Sequence, residues 1–159
     1  MSHDRTLASP AFPDDDGSID LVLAAAFDQF DLTGDPTAVL GALCTVRVIV
    51  PVVALLGDSP ADGDKDADMA AVFMTGADGR RALLAFSSID AMQVWDPQAR
   101  PVPILASDAA RATLDEGASA LLLDLGGSHF TVVETDDVEH LAAGHRLVQS
   151  AAGAAWVTS

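Results

Sequence analysis

The sequence predicts an α/β domain of the α+β type, in which a mixed, mainly antiparallel sheet carries packed helices and follows an N-terminal helical hairpin. Three observations carry that expectation. Apolar residues recur at helical spacing up to Leu43 and then give way to the β-branched run Val46, Val48, Ile49, Val50, Val52 and Val53. Two apolar runs flank Gly76-Ala77-Asp78-Gly79, the pattern of an antiparallel hairpin. Short apolar strands then alternate with helical stretches between Ser88 and Leu125, which permits a parallel crossover.

Residues 1–17 combine Pro10, Pro13, Gly17 and the Asp14 to Asp16 run without apolar periodicity, and are expected to be a flexible arm. Ser18 is the expected N-cap of a helix that places Ile19, Leu23, Phe27 and Phe30 on one face. After the break at Thr33-Gly34, Asp35 and Pro36 start a second helix, since Asp accepts free amide protons and Pro pre-sets the first turn. The hairpin covers 18–44 and the sheet-containing core 45–144 of a single domain. Pro51 lacks a ladder donor, so the strand around it is expected at an edge or with a bulge. A polar acidic loop from Gly57 to Asp68 separates it from strands at Met69 to Met74 and Arg81 to Phe86.

Ser87 or Ser88 caps a helix reaching Trp95, which Asp96-Pro97 ends because a residue before proline avoids helical geometry. Pro101 and Pro103 lie in an extended segment through Leu105. Ser107 caps the next helix, with Ala110, Leu114 and Ala118 on one face and Gly117 as its stop. Ala120 to Leu125 reads as a buried strand, Gly126-Gly127 as a turn and His129 to Val133 as a returning strand. Thr135, Asp136 and Asp137 open a last helix with acids favourably near its N-terminus, and Gly144 closes it. Residues 145–159 are weakly patterned and are expected to be a C-terminal tail.

The chain of 159 residues has 24 acidic and eight basic residues, a net charge of −16. That charge repels phosphate backbones and argues against direct nucleic-acid binding. It suits solubility, or attraction to a basic protein partner. Apolar runs stay far below the ~20 residues of a membrane span. With no apolar leader and a single cysteine, Cys44, the expected compartment is the cytoplasm, without disulfides or a multi-cysteine zinc site.

Templates for chemistry fail one by one. Asp62, Asp64, Asp66 and Asp68 alternate as calcium ligands do, yet the loop that begins at Asp62 has Ala67 where a glycine is needed and Phe73 where a bidentate Glu is needed. Those four aspartates are the metal candidates, and no metal or other cofactor is expected. Cys44 follows a helix, away from the N-terminus that would activate a thiol. His140 and His145 miss the spacing that shares a helix face. Gly126-Gly127-Ser128 lacks the rest of a phosphate-binding motif. Arg80, Arg81, Arg100 and Trp95 are the protein-binding candidates, because Trp and Arg are favoured interface anchors. The expected function is a non-enzymatic cytoplasmic interaction or regulatory domain, as a monomer or a weak homodimer. The alternative is a small-molecule or metal-binding domain, or an enzyme, that uses the Asp-rich loop 58–68 or the strand ends near Asp124.

Several stretches resemble the SseB-type family in its GC-rich Gram-positive form. They are Arg47 to Ala54, Lys65 to Val72, Asp78 to Ser88, Trp95-Asp96-Pro97, Arg100 to Pro103 and Glu116-Gly117-Ala118, within a likeness from about Pro10 to Gly144. The resemblance implies an α/β domain of poorly defined biochemical function, with no established active site to carry over. Where the family commonly has Phe-Thr-Ser this chain has Phe86-Ser87-Ser88, and where many members have Asn-Pro it has Asp124-Leu125-Gly126.

Overall fold

The computed structural model describes residues 12–55 and 68–158. Two helices open it, α1 (Leu21–Thr33) and α2 (Thr37–Leu43). Asp20, two residues beyond the expected Ser18, caps α1 by accepting the Val22 N–H at 2.8 Å. Ser18 instead bonds to Asp16. Gly34 ends α1 at φ 69°, and the Asp35 carboxylate accepts from both the N–H and the hydroxyl of Thr37. Leu23, Phe27, Val39 and Leu43 from the two helices enter one core.

The remaining elements are β1 (Arg47–Leu55), β2 (Asp68–Ala71), β3 (Phe73–Thr75), β4 (Arg81–Ala85), α3 (Ile89–Trp95), β5 (Arg100–Leu105), α4 (Ala106–Asp115), β6 (Ala120–Leu123), β7 (Thr131–Val133), α5 (Thr135–Ala142), β8 (Arg146–Ser150) and β9 (Gly153–Val157). Strand orders are β2-β1-β5, β3-β4-β6-β7 and β8-β9. β4 and β6 pair in parallel, and every other pair is antiparallel. The first two sheets are joined where Ile49 and Phe86 exchange two backbone bonds of 2.7 Å, and where Leu84 N–H donates to Val72. β2 and β3 are thus the halves of one bent strand, the first given to β1 and the second to β4.

β1 corrects an expectation: it lies between β2 and β5, away from any edge. Its register resolves the proline problem. Both polar backbone groups of Ile49 point to Phe86, so the facing pairs Ile49↔Pro103 and Pro51↔Pro101 are those that exchange no ladder bonds. The prolines fill positions where a missing N–H costs the β1–β5 pairing nothing.

Alternation along the strands feeds two cores. Val48, Val50, Leu83 and Ala85 point to the face covered by α1, α2, α4 and α5, while Ile49, Leu84 and Phe86 point to the other, under α3 with Met92 and Ala99.

Described residues near both ends of the chain pack onto the domain. Within the expected flexible arm, residues 12–17 belong to the fold: Asp15 pairs with Arg47, and Ile89 N–H donates to Gly17 O at 2.8 Å. Within the expected tail, β8 and β9 form a hairpin whose Trp156 stacks on His140 at 4.9 Å and donates its indole N–H to Asp137 at 3.0 Å.

Candidate functional site

Parallel β4 and β6 end side by side, Ala85 opposite Leu123, and the residues just beyond them build a polar junction. Asp124 turns at φ 58°, a left-handed conformation that Asp tolerates better than most residues. Its carboxylate folds back onto Ser87, one oxygen accepting the Ser87 N–H at 2.7 Å and the other the Ser87 hydroxyl at 2.6 Å. Ser87 O accepts in turn from Arg47 Nη1 at 2.8 Å, and the rest of the guanidinium reaches Asp15 and the Ser18 carbonyl. A continuous chain of bonds therefore runs Asp15–Arg47–Ser87–Asp124, with Arg47, Ser87 and Asp124 buried.

The two aspartates at its ends differ electrostatically. The hydrogen-bonded Arg47 guanidinium holds Asp15 below the usual carboxylate range. Burial pushes Asp124 up, and this outweighs the two Ser87 bonds and the lesser pull of His129. Among the described residues no Lys or Arg forms an ion pair with Asp124.

Asp124 also walls a pocket of about 210 Å³ together with Ala91, Val94, Leu125, Ser128 and His129. His129 is fixed from outside: its ring stacks on Phe27 at 4.4 Å and its Nε2 lies 3.0 Å from Asp31. At the turn the Gly127 N–H donates to Asp124 O, and an added Cβ there would sit a tight 3.2 Å from that oxygen.

A larger groove of about 630 Å³ opens elsewhere, lined by Val52, Met69, Phe73 and Arg81 on the strands β1 to β4, Val102 on β5 and Glu116 after α4. Met69 is 40% and Val102 36% exposed, so apolar surface is open to solvent there. The Arg81 guanidinium lies 4.8 Å above the Phe73 ring and donates to the Glu116 carbonyl at 3.1 Å.

The four protein-binding candidates are spread out. Arg80 is exposed and pairs with Glu134 at 2.8 Å. Arg81 borders the groove, and Arg100 is exposed opposite Val52 in the β1–β5 ladder. Trp95 packs on Phe86 at 5.7 Å in the core under α3, and Phe86 lies five residues along from Arg81, roughly 16 Å of strand. Of the metal candidates, Asp62, Asp64 and Asp66 lie outside the described residues and Asp68 opens β2. Among the described residues no group of three His, Cys, Asp or Glu could hold a metal, and no helix is long and apolar enough to cross a membrane. Cys44 packs against the core, with its sulfur 3.6 Å from the Leu40 carbonyl. His140 and His145, set aside on spacing, meet with their Nδ1 atoms 2.8 Å apart because Gly144 at φ 78° turns the chain back.

This architecture defines a small α/β domain whose mixed sheet holds one parallel pair, with its polar junction at the ends of that pair. The family model described as the SseB protein N-terminal domain matches residues 23–140, from α1 into α5, and the chain belongs to that family. No curated protein and no solved structure matches it.

Proposed function

We propose that this chain is a non-enzymatic protein-interaction or regulatory domain of the cytoplasm, docking a partner in the groove bordered by Arg81. The observation that carries the reading is the combination there of solvent-open Met69 and Val102 with an arginine laid over an aromatic ring. Apolar surface beside an Arg-aromatic pair is the composition of binding hot spots. The charge of −16 favours a basic partner and speeds its encounter. Arg80 and Arg100 belong to this reading as polar neighbours; Trp95 belongs to it only as a support of the opposite core.

Capture from native cells with immobilised protein tests it, comparing the parent with Val102→Glu, Arg81→Ala and Val94→Glu, the last on the other pocket. Loss of one defined partner with the first two variants and retention with the third is expected. Equal capture by all three, with melting temperatures unchanged, overturns it.

A second reading, a small-molecule-binding domain, is favoured by one observation: Asp124, buried and without a Lys or Arg partner among the described residues, lines a pocket at the end of a parallel strand pair. Ligands of open α/β sheets collect at carboxyl ends of strands.

A further inference from the structure

We infer that the pocket beside Asp124 binds a primary ammonium group carried on a short aliphatic stem. This deepens the small-molecule reading and stands independently of the groove. The argument begins with Asp124, 6% exposed and without a Lys or Arg partner among the described residues. Buried charges in proteins are ordinarily paired, and the other carboxylate of the junction, Asp15, has Arg47. Among the described residues the Asp124 carboxylate takes the two Ser87 donors, one on each oxygen. Each carboxylate oxygen retains a further lone pair, so the group keeps acceptor capacity toward a ligand.

The walls select the rest of the molecule. Ala91, Val94 and Leu125 offer apolar surface for methylenes, and Ser128 brings a hydroxyl to the same lining. About 210 Å³ holds on the order of seven waters at ~30 Å³ each, which suits a butyl-sized stem. An ammonium is a compact point charge with three donors, which suits a small pocket whose one carboxylate already takes a Ser87 bond on each oxygen. The geometry is pre-formed: Ser87 holds both oxygens of the carboxylate, and His129, stacked on Phe27 and bonded to Asp31, is held beside it in the lining. The acidic surface of the whole chain concentrates cations near the opening. The source can be a free amine or a lysine side chain of a polypeptide; the ammonium is common to both.

The test is titration of the full chain with n-butylammonium chloride, Nα-acetyl-lysine methylamide and, as the neutral isostere, n-butanol, read by calorimetry and by melting temperature. Expected are saturable binding of at least one amine, with Kd on the order of 1 mM or tighter, a matching rise in melting temperature, and no response to butanol. Stronger binding of butylammonium points to a free amine, and stronger binding of the lysine amide to a polypeptide side chain. Asp124→Asn, which keeps the shape and both contacts to Ser87, should weaken either amine about tenfold or more. Absence of binding by both amines, an equal response to butanol, or unchanged affinity in folded Asp124→Asn each overturns the inference. Because Met69, Val102 and Arg81 lie outside this pocket, such a failure leaves groove docking as it was, and intact amine binding by Val102→Glu separates the two readings in the other direction.

Discussion

Asp15 and Asp124 stand at the two ends of one chain of bonds and respond to pH with opposite signs. Asp15 is held below its ordinary value of 3.8, so its pairing stabilises the fold above that value and is lost as pH falls through the lowered folded-state value. Asp124 is raised above 3.8, so the fold takes up its proton before the unfolded chain does. Its contribution is complete below 3.8 and is lost as pH rises through the raised value. Asp124→Asn should therefore be at least as stable as the parent at pH 7, because an amide can accept the Ser87 N–H and donate to the Ser87 hydroxyl oxygen. Urea denaturation from pH 4 to 7 checks this; a loss of more than about 1 kcal/mol at pH 7 would show that the ionised carboxylate is needed. Arg47→Ala strands Asp15 and empties the donors to Ser87 O and Ser18 O, and should cost about 3–5 kcal/mol by the same measurement. Gly17 is a third sensitive residue: at φ 82°, an added Cβ would lie 2.3 Å from Ile89 Cδ1. Gly17→Ala should cost upwards of about 1–2 kcal/mol from conformation alone, seen as a lower urea midpoint, and an unchanged midpoint would mean that the N-terminal segment contributes nothing.

Among the elements, the β8–β9 hairpin is held to the domain through α5. A lone two-stranded ribbon is marginal in water, and this one is anchored through Trp156 on His140 and Asp137 of α5. Trp156→Ala should lower stability by about 1–2 kcal/mol, since the indole is half-buried and aromatic stacking adds to its area. It should also speed amide exchange in β8 and β9 without altering exchange in β4 and β6. Uniform acceleration across the sheet would show instead that the hairpin and core unfold as one unit. The hairpin was not legible in the sequence, because Arg146 to Ser150 and Gly153 to Val157 are short and nearly all exposed, leaving no apolar alternation to detect. β1 was legible as a strand and misread in position: Pro51 signals an edge only while its partners are unknown, and the facing Pro101 and Pro103 become meaningful through the register.

For the whole molecule, net charge sets the condition dependence. A charge of −16 on 159 residues is self-repelling, and salt shortens the reach of that repulsion from ~30 Å at 0.01 M to ~10 Å at 0.1 M ionic strength. The melting temperature should therefore rise between those two salt concentrations. A fall would mean that favourable pairs such as Arg80–Glu134 and Arg111–Asp108 outweigh the net repulsion.

Local chemistry along the chain specified the helices, most strands, their order and the SseB kinship, because caps, prolines and apolar periodicity act over a few neighbouring residues. Ser88 caps α3 through the Ala91 N–H as its hydroxyl and position required, and the alternation of Leu83, Leu84, Ala85 and Phe86 sorts them between two cores. Convergence was decided by the tertiary fold alone. Asp15, Arg47, Ser87 and Asp124 are 32, 40 and 37 positions apart along their successive bonds, and His140 meets His145 through a left-handed glycine rather than a helix face. Such meetings depend on strand pairing and chain reversal, which bring distant residues together only once the hydrophobic faces have been buried against each other.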